Sequence, residues 1–393
     1  MPTCPTSLSG RSGIARSKVL AVTLVAGLLF SSALVACGPA GRGTIKIAIV
    51  ASLSGDMAAA GDATKKAAEL AFQEWNEAGG VLGKTIQWVV ANDYCDPQEA
   101  RNAASKVVNQ DRVRFIVGGI CPVASLEIAQ VADANQVLLI SPAAAPWVTG
   151  DNDGHTMPYS FQVCFTSSFQ GAVMANFALH TLGAKTAAVL LEPESESLRN
   201  LAESFREAFT TGGGSVVVWE TYAQGDTDFS ATLAKVLAAK PDFLFLPDRY
   251  PTVNLIARQA REKGIKASMG GGDGWDSDQL DMQAVDGGFY VTHYAKADPR
   301  PSVQEWVQKY RARYGSDPDT QATLAYEATN LLLSAIKSAG SMDPDKVKAV
   351  LESSKFSGVS GEITLDKQHQ AVKSAVIIAV KDGQRLYQET VAP

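Results

Sequence analysis

Few residues of this chain have the types and spacing that catalysis or metal binding requires. None of the four histidines has a neighbour at metal-ligand spacing (His155, His180, His293 and His369). The sequence contains neither a G-x-S-x-G nucleophile elbow nor a G-x-x-x-x-G-K-S/T phosphate loop. We therefore expect a non-catalytic cleft, with no catalytic residue, no bound metal and no cofactor.

The cysteines suggest structural roles. Cys95 and Cys121 each follow an apolar, strand-like run, which places them in loops at the same end of a sheet. In an oxidising compartment such a pair tends to form a disulfide, and we predict that these two are bonded. The alternative, Cys121 acting as a nucleophile with a distant histidine, is less favoured. Cys164 alternates with apolar neighbours and is predicted to be a buried, unreactive thiol.

The first 43 residues have the features of an export signal followed by a short linker. Arg11, Arg16 and Lys18 precede an uncharged run over residues 19–36, which is typical of a signal peptide. The following segment, Leu34-Val35-Ala36-Cys37, resembles the lipobox of bacterial lipoproteins, in which the cysteine is acylated. We interpret residues 1–36 as a lipoprotein signal peptide and residues 37–43 as a flexible tether, which predicts an extracytoplasmic protein held to a membrane by lipid on Cys37. An uncleaved membrane anchor is the alternative.

The charge balance excludes one large class of partner. The chain has 35 basic and 41 acidic side chains, a net charge of −6, and 46% hydrophobic residues, as a globular protein does. Residues 1–36 contain three basic residues and no acid, so the remainder carries −9. An acidic surface of this kind does not bind a phosphate backbone, and no nucleic-acid partner is expected.

Strands and helices alternate from residue 45 onward in two successive series. The first predicted series has strands at residues 45–50, 86–90, 115–117 and 137–140, and the second has strands at 187–191, 215–219 and 243–246. Alternation of this kind predicts parallel βαβ units. The fold class is therefore α/β, with two doubly wound Rossmann-like lobes. Helices at 303–314, 321–339 and 344–351 and strands at 361–365, 375–380 and 385–390 follow, and we expect them to complete both lobes.

Ligands of open α/β sheets bind beyond the carboxyl ends of the strands. Two facing lobes would bring those ends to a shared cleft. The loops expected to border it are residues 52–56, 121–125, 141–149, 192–197, 247–251 and 273–276.

Several segments, in this order and spacing, resemble one known family. They include Asn76-Glu77-Ala78-Gly79-Gly80, Tyr94-Cys95-Asp96-Pro97, Leu138-Leu139-Ile140-Ser141-Pro142-Ala143-Ala144 and Gly271-Gly272-Asp273-Gly274-Trp275-Asp276. Together they are similar to the type I periplasmic binding proteins, and more narrowly to the branched-chain amino-acid-binding branch that serves ABC importers.

The resemblance implies a specific domain organisation. Two lobes would be joined by three hinge crossings near residues 163–166, 291–294 and 361–365, and would close over a ligand. The first lobe would comprise residues 44–163 and 293–360, and the second residues 164–292 and 361–393. The resemblance also implies that Cys95 and Cys121 correspond to the disulfide of the family.

The resemblance also implies ligand-contacting positions, several of which depart from the amino-acid-binding pattern. The positions are Pro122, Ala143, Ala144, Ala145, Ser197, Arg249, Tyr250, Asp273, Trp275 and Gln321. Pro122 and Ala145 replace the hydroxyl residues that hold an α-carboxylate, and Ser197 replaces a tyrosine. Asp273 matches the acid that receives an ammonium group, with a turn-forming role as the alternative. Arg249 is expected either to bind a carboxylate or to pair with a surface acid, and Trp275 and Trp147 either to line the pocket or to lie in the core.

These features predict a non-enzymatic solute receptor of an ABC importer. Its partners would be a small polar organic solute (an amino acid or related carboxylate), the permease subunits, and the membrane through Cys37. The alternatives are a ligand-sensing module of the same fold that signals to a partner protein, and an enzyme with an unrecognised site.

Overall fold

The structure is a computed structural model that describes residues 43–143, 148–150 and 155–393. The predicted signal peptide (1–36), Cys37 and all of the tether except Gly43 lie outside the described residues. So do Ala144, Ala145 and Trp147. No described helix is both long and apolar enough to cross a bilayer.

The first lobe is built on a parallel sheet of five strands in the order β2-β1-β3-β4-β5. Its strands and helices follow in chain order: β1 (Thr44–Ala51), α1 (Ala58–Glu77), β2 (Thr85–Asn92), α2 (Pro97–Asn109), β3 (Phe115–Gly118), α3 (Pro122–Ala134), β4 (Leu138–Ser141) and β5 (Ser160–Gln162). Helices cover both faces of the sheet, so β1 is a nearly continuous apolar run, with Ile47 to Ala51 wholly buried.

The second lobe contains a mixed sheet of seven strands. The chain supplies α4 (Ser167–Asn176), β6 (Thr186–Leu191), α5 (Glu196–Thr211), β7 (Ser215–Thr221), α6 (Ser230–Ala239), β8 (Phe243–Phe245), α7 (Tyr250–Glu262), β9 (Ser268–Gly271) and β10 (Phe289–Thr292). The strand order is β15-β14-β10-β9-β8-β6-β7, in which the last two strands of the chain, β14 (Ala375–Lys381) and β15 (Gln384–Val391), pair antiparallel at one edge.

The remaining elements return to the first lobe. They are α8 (Pro301–Tyr314), α9 (Thr320–Ala339), α10 (Pro344–Ser353) and a small sheet of β11 (Phe356–Gly358), β12 (Gly361–Leu365) and β13 (Ala371–Val372). Helix α9 packs on α1 and carries Leu324, Leu331 and Ile336 into the core beneath the first sheet. The two predicted α/β lobes are confirmed.

The hydrophobic cores locate the three crossings. Cys164 belongs to the core of the first lobe and Phe165 to that of the second, so the chain first passes between the cores at these two residues. At the second crossing, Val291 belongs to the core of the second lobe, and Tyr294 packs with residues of α1 and α9 in the first lobe.

The third crossing differs from the prediction. Ile363, Leu365 and Ala371 pack in the core of the first lobe, and Ala375 is the next residue in the core of the second. The chain therefore crosses between β13 and β14, and the expected boundary at residue 361 is corrected by about ten residues. Strands β11 to β13 pair with one another and contact α9 and α10, which fixes them to the first lobe.

Candidate functional site

A cavity of about 630 Å³ lies between the lobes at the hinge. This volume falls within the roughly 300–1,000 Å³ range of small-molecule sites. The first lobe contributes Ala143 and the start of α9, the second lobe contributes the segment after β9, and the first two crossings contribute Cys164 and His293. A ligand held here would contact both lobes and the segments that connect them.

The third crossing is fixed by a buried ion pair. Lys373 Nζ lies 2.6 Å from Glu327 Oε2, and both side chains are fully buried. The other carboxylate oxygen of Glu327 accepts the backbone N–H of Ser360 at 2.6 Å. Burial alone would raise the pKa of Glu327, but the Lys373 ammonium and the Ser360 hydrogen bonds hold it below its ordinary value. Glu327 is therefore ionised, and the pair ties the third crossing to α9.

His293 joins the other two crossings to the cavity. Its ring stacks on Phe165 of the first crossing, with ring centroids 3.6 Å apart. Nε2 lies 3.3 Å from Oδ2 of Asp273, in the short turn after β9. The His293 side chain is 2% exposed, and burial lowers its pKa. The imidazole is therefore neutral, and its proximity to a carboxylate assigns the proton to Nε2.

Asp273 is well placed to bind a ligand. Its side chain is 33% exposed and lines the cavity, and its backbone N–H donates to Gln170 Oε1 at 2.8 Å. The glycines before it allow this placement, because a Cβ on Gly271 would lie 2.1 Å from the indole nitrogen of Trp275. The turn after β9 can therefore fold tightly over the indole.

Asp276 links the lobes close to Asp273. Its Oδ2 accepts hydrogen bonds from the hydroxyls of Thr292 at 2.8 Å and Thr320 at 2.7 Å. Thr292 ends β10 of the second lobe, whereas Thr320 begins α9 of the first. Asp276 lies in a loop that the sequence assigned to the cleft, but it was not among the predicted ligand-contacting residues.

Three predicted site residues line the cavity together: Ala143, Asp273 and Gln321. Gln321 Nε2 also donates to Thr64 Oγ1 of α1 at 3.1 Å, which fixes its side chain. Their contact with a ligand stays a prediction.

Four further predicted residues lie elsewhere. Pro122 is the first residue of α3 and is partly exposed, and Ser197 lies in the first turn of α5, with its hydroxyl 3.3 Å from that of Ser195. Arg249 is exposed at the N-terminus of α7, and Tyr250 packs partly against the core of the second lobe. None of the four lines the cavity, and ligand contact by them would require a different arrangement of the lobes.

The prediction that Trp275 contacts the ligand is corrected. Its side chain is wholly buried in the core of the second lobe, where Nε1 donates to the carbonyl of Leu246 at 3.2 Å. The alternative of a core residue is the one that the structure supports. The indole packs beneath the loop that carries Asp273 and so positions it.

The polar lining of the cavity was largely missed. His293, Tyr294, Lys296, Asp317, Asp319 and Arg385 all contribute to it. They come from three separate segments, and no local pattern brings them together. The nearest signal was Asp319 before α9, which has the position of an N-cap and accepts the N–H of Ala322 at 2.7 Å.

The two cysteine predictions are confirmed. Cys95 and Cys121 are disulfide-bonded, with Cα atoms 5.4 Å apart, which excludes Cys121 as a free nucleophile. Cys164 is free and buried, and burial raises the pKa of its thiol. Within the described ranges, no group of three or more His, Cys, Asp or Glu side chains is arranged to hold a metal ion.

Known proteins share this architecture. Residues 44–385 match the family of periplasmic binding proteins. A leucine-, isoleucine-, valine-, threonine- and alanine-binding protein of Pseudomonas aeruginosa is 30% identical over 329 residues, which cover 83% of this chain and 86% of that protein.

Two solved structures agree with the fold. A leucine-binding protein, LivK, of Thermotoga maritima is 33% identical with a TM-score of 0.74, covering 89% of this chain and 99% of its own. The branched-chain amino-acid transporter substrate-binding protein LivJ of Streptococcus pneumoniae, solved with isoleucine, is 31% identical with a TM-score of 0.74, covering 89% of this chain and 100% of its own. With its two α/β lobes, three crossings and shared cavity, this chain therefore belongs to the periplasmic binding protein family.

Proposed function

We propose that this protein is the extracytoplasmic solute receptor of an ABC importer, and that it binds an amino acid or a related small polar solute between its lobes. The observation that carries the proposal is the cavity at the hinge, into which Asp273 presents a partly exposed carboxylate. The relatives named above bind small amino acids, and one of them is a transporter receptor, so the alternative of a sensory module is not favoured.

The mechanism follows from the position of the cavity. Because both lobes and two crossings line it, a solute makes its full set of contacts only when the lobes are close together. Binding then shifts the hinge equilibrium by the difference in affinity between the closed and open arrangements. The closed arrangement is the state that a permease would recognise.

The membrane attachment is part of the same proposal. Lipid on Cys37 would hold the receptor beside its permease, with residues 38–43 as a short tether. Replacing Cys37 with serine should release the mature protein from the membrane fraction. Retention of the serine variant in membranes would favour the uncleaved anchor instead.

A thermal-shift screen tests the binding function. Amino acids, small carboxylates, amides and amines are added to the purified protein, and the unfolding temperature is measured. A solute at 100 times its Kd should stabilise the folded state by about 2.7 kcal/mol. Isothermal calorimetry should then give one site per chain. If no small solute raises the unfolding temperature, the proposed function is wrong.

A further inference from the structure

The cavity carries an excess of negative charge. Among the described residues, five aspartates line it against two cationic side chains, and the seven residues are Asp273, Asp276, Asp278, Asp317, Asp319, Lys296 and Arg385. His293 adds no charge, because its imidazole is buried and neutral. Three carboxylates are therefore left without a compensating cation. A cleft in which one sign of charge predominates concentrates its field on whatever enters it.

The ion pairs show which carboxylates are already neutralised. Lys296 Nζ lies 3.0 Å from Oδ2 of Asp317, and Arg385 Nη1 lies 2.8 Å from Oδ1 of Asp278. Arg385 also donates to the carbonyl of Ser277, so it acts on Asp276 only across a longer distance. Asp317 also pairs with Arg311, which does not line the cavity. The ion pairs of Lys296 and Arg385 are thus with aspartates other than Asp273, Asp276 and Asp319.

The hydrogen bonds to the other three carboxylates come only from neutral groups among the described residues. Asp273 faces the neutral His293, and Asp319 accepts the backbone N–H of Ala322. Asp276 accepts from threonine hydroxyls and, at 3.4 Å, from the hydroxyl of Tyr290. Hydroxyls and amides support a carboxylate but do not neutralise it. Burial raises the pKa of Asp319, so a cation placed beside it would favour its charged form.

Two buried polar atoms without partners independently indicate a polar ligand, and one of them, Nδ1 of His293, requires a hydrogen-bond donor. The side chains of His293 and Tyr294, 2% and 7% exposed, both line the cavity. Within the described part of the chain, neither Nδ1 of His293 nor the hydroxyl of Tyr294 has a hydrogen-bond partner. With the His293 proton on Nε2, Nδ1 is an acceptor without a donor. Leaving a buried acceptor without a hydrogen bond costs free energy, and an ammonium group of a ligand would supply the missing donor.

The described wall of the first lobe has few free donors for an anion, because Thr320 and Gln321 of α9 already donate to Asp276 and Thr64. Ile120, Pro142 and Ala143 line the cavity there, and none of these side chains carries a hydrogen-bond donor. Pro122, at the start of α3, has neither a hydroxyl nor a backbone N–H. The lining therefore combines carboxylate acceptors from both lobes with an apolar surface next to the ends of β3 and β4.

We propose that the solute of this receptor carries a net positive charge, with one ammonium group at Asp273 and a second cationic group between Asp276 and Asp319. This inference rests on the proposed function and narrows its substrate class to diamino compounds, such as basic amino acids or diamines. A neutral zwitterion would leave two carboxylates without a counter-charge, and a simple carboxylate would be repelled by all three.

Matched solute pairs test the charge preference by calorimetry. L-lysine is compared with L-norleucine, and L-ornithine with L-norvaline, because the members of each pair differ in the terminal ammonium group. Cadaverine provides two ammonium groups without a carboxylate. At least one dicationic or basic solute should bind roughly tenfold or more tightly than its neutral partner, since a charge-assisted hydrogen bond contributes about that much.

The outcomes separate the two proposals. If the neutral member of both pairs binds as tightly as the basic member, and cadaverine does not bind, the charge preference is wrong and the receptor function stands. If neither these solutes nor any in the wider screen binds, both proposals fail.

Two substitutions locate the second cationic group. Asp276→Asn and Asp319→Asn each remove a charge but keep a side-chain oxygen, and asparagine also caps helices well. Each should lower the ratio of the affinities for the basic solute and its neutral partner roughly tenfold, and urea unfolding should show that the variant is folded. The control is Glu203→Gln, which removes one charge from the exposed face of α5 and should change neither affinity. If both aspartate variants bind the basic solute as tightly as the wild type does, the second cationic group does not lie between Asp276 and Asp319.

Discussion

Two buried acid–base contacts lie at the hinge, and they are built differently. Lys373 and Glu327 form a closed pair, in which both charged side chains are fully buried and the second carboxylate oxygen is also hydrogen-bonded. His293 and Asp273 form an open contact, in which Asp273 is 33% exposed to the cavity and Nδ1 of His293 has no partner among the described residues. The Lys373–Glu327 pair is therefore closed to a ligand, whereas the His293–Asp273 contact can still bind one.

The difference separates a structural contact from a binding contact. A buried ion pair gains little net stability over an apolar replacement, but removing one partner leaves an uncompensated charge in the core. A partly exposed carboxylate can turn to water, so its loss affects the fold little and the ligand greatly. The two contacts should therefore respond to mutation in opposite ways.

The largest expected effect is on the closed pair. Glu327→Gln leaves the Lys373 ammonium buried without its counter-charge and should lower the free energy of unfolding by about 3–5 kcal/mol. The double variant, with Lys373→Met added, removes both charges and should be more stable than the single variant. Urea unfolding followed by tryptophan fluorescence measures both values. A single variant within about 1 kcal/mol of the wild type would show that the pair is not structural.

The next effect is on ligand affinity through the open contact. Asp273→Asn keeps the size of the side chain but removes the charge, and it should weaken solute binding roughly 10–100-fold because a charge-assisted hydrogen bond is lost. The free energy of unfolding should change by less than about 1 kcal/mol, since the side chain is partly exposed. Glu203→Gln on the outer face of α5 is the control for overall charge. Wild-type affinity in Asp273→Asn would remove this residue from the site.

The sequence was sufficient to predict the architecture. Strands of β-branched residues alternate with amphipathic helices. This alternation predicts two lobes with parallel sheets, and the prediction does not depend on the ligand. The disulfide and the buried Cys164 followed from their positions at strand ends and within an apolar run. The positions of the three crossings were implied by the family resemblance and not by any local pattern.

Short and glycine-rich segments were harder to predict. Strand β12 alternates apolar and polar residues, but nothing local indicates which lobe it joins, and its partners β11 and β13 have only three and two residues. Trp275 follows a run of glycines that favours a loop, yet the space left by Gly271 allows the indole to pack in the core. In both cases contacts between distant segments decide the outcome.

The candidate site was predictable only in part for the same reason. Asp273 was found because a loop acid at the end of a strand is a local pattern. Asp276 and Asp319 face the same cavity from different lobes, and their pairing through Thr320 depends on the position of α9 against β10. A sequence pattern does not show which aspartates are neutralised by ion pairs and which are left free.

The smallest expected effect tests the histidine of the open contact. His293→Phe keeps an aromatic ring against Phe165 but removes both ring nitrogens. The lost hydrogen bond to Asp273 should cost only about 1 kcal/mol, because the partly exposed carboxylate can be solvated in its place. Removing the unpartnered Nδ1 also relieves a buried, unsatisfied acceptor, which offsets part of that cost. The affinity for an amine-containing solute should fall only a few-fold, because Asp273 keeps its charge. If His293→Phe destabilises the protein as much as Glu327→Gln, measured in the same urea series, the His293–Asp273 contact is as structural as the ion pair, and the distinction between the two contacts is lost.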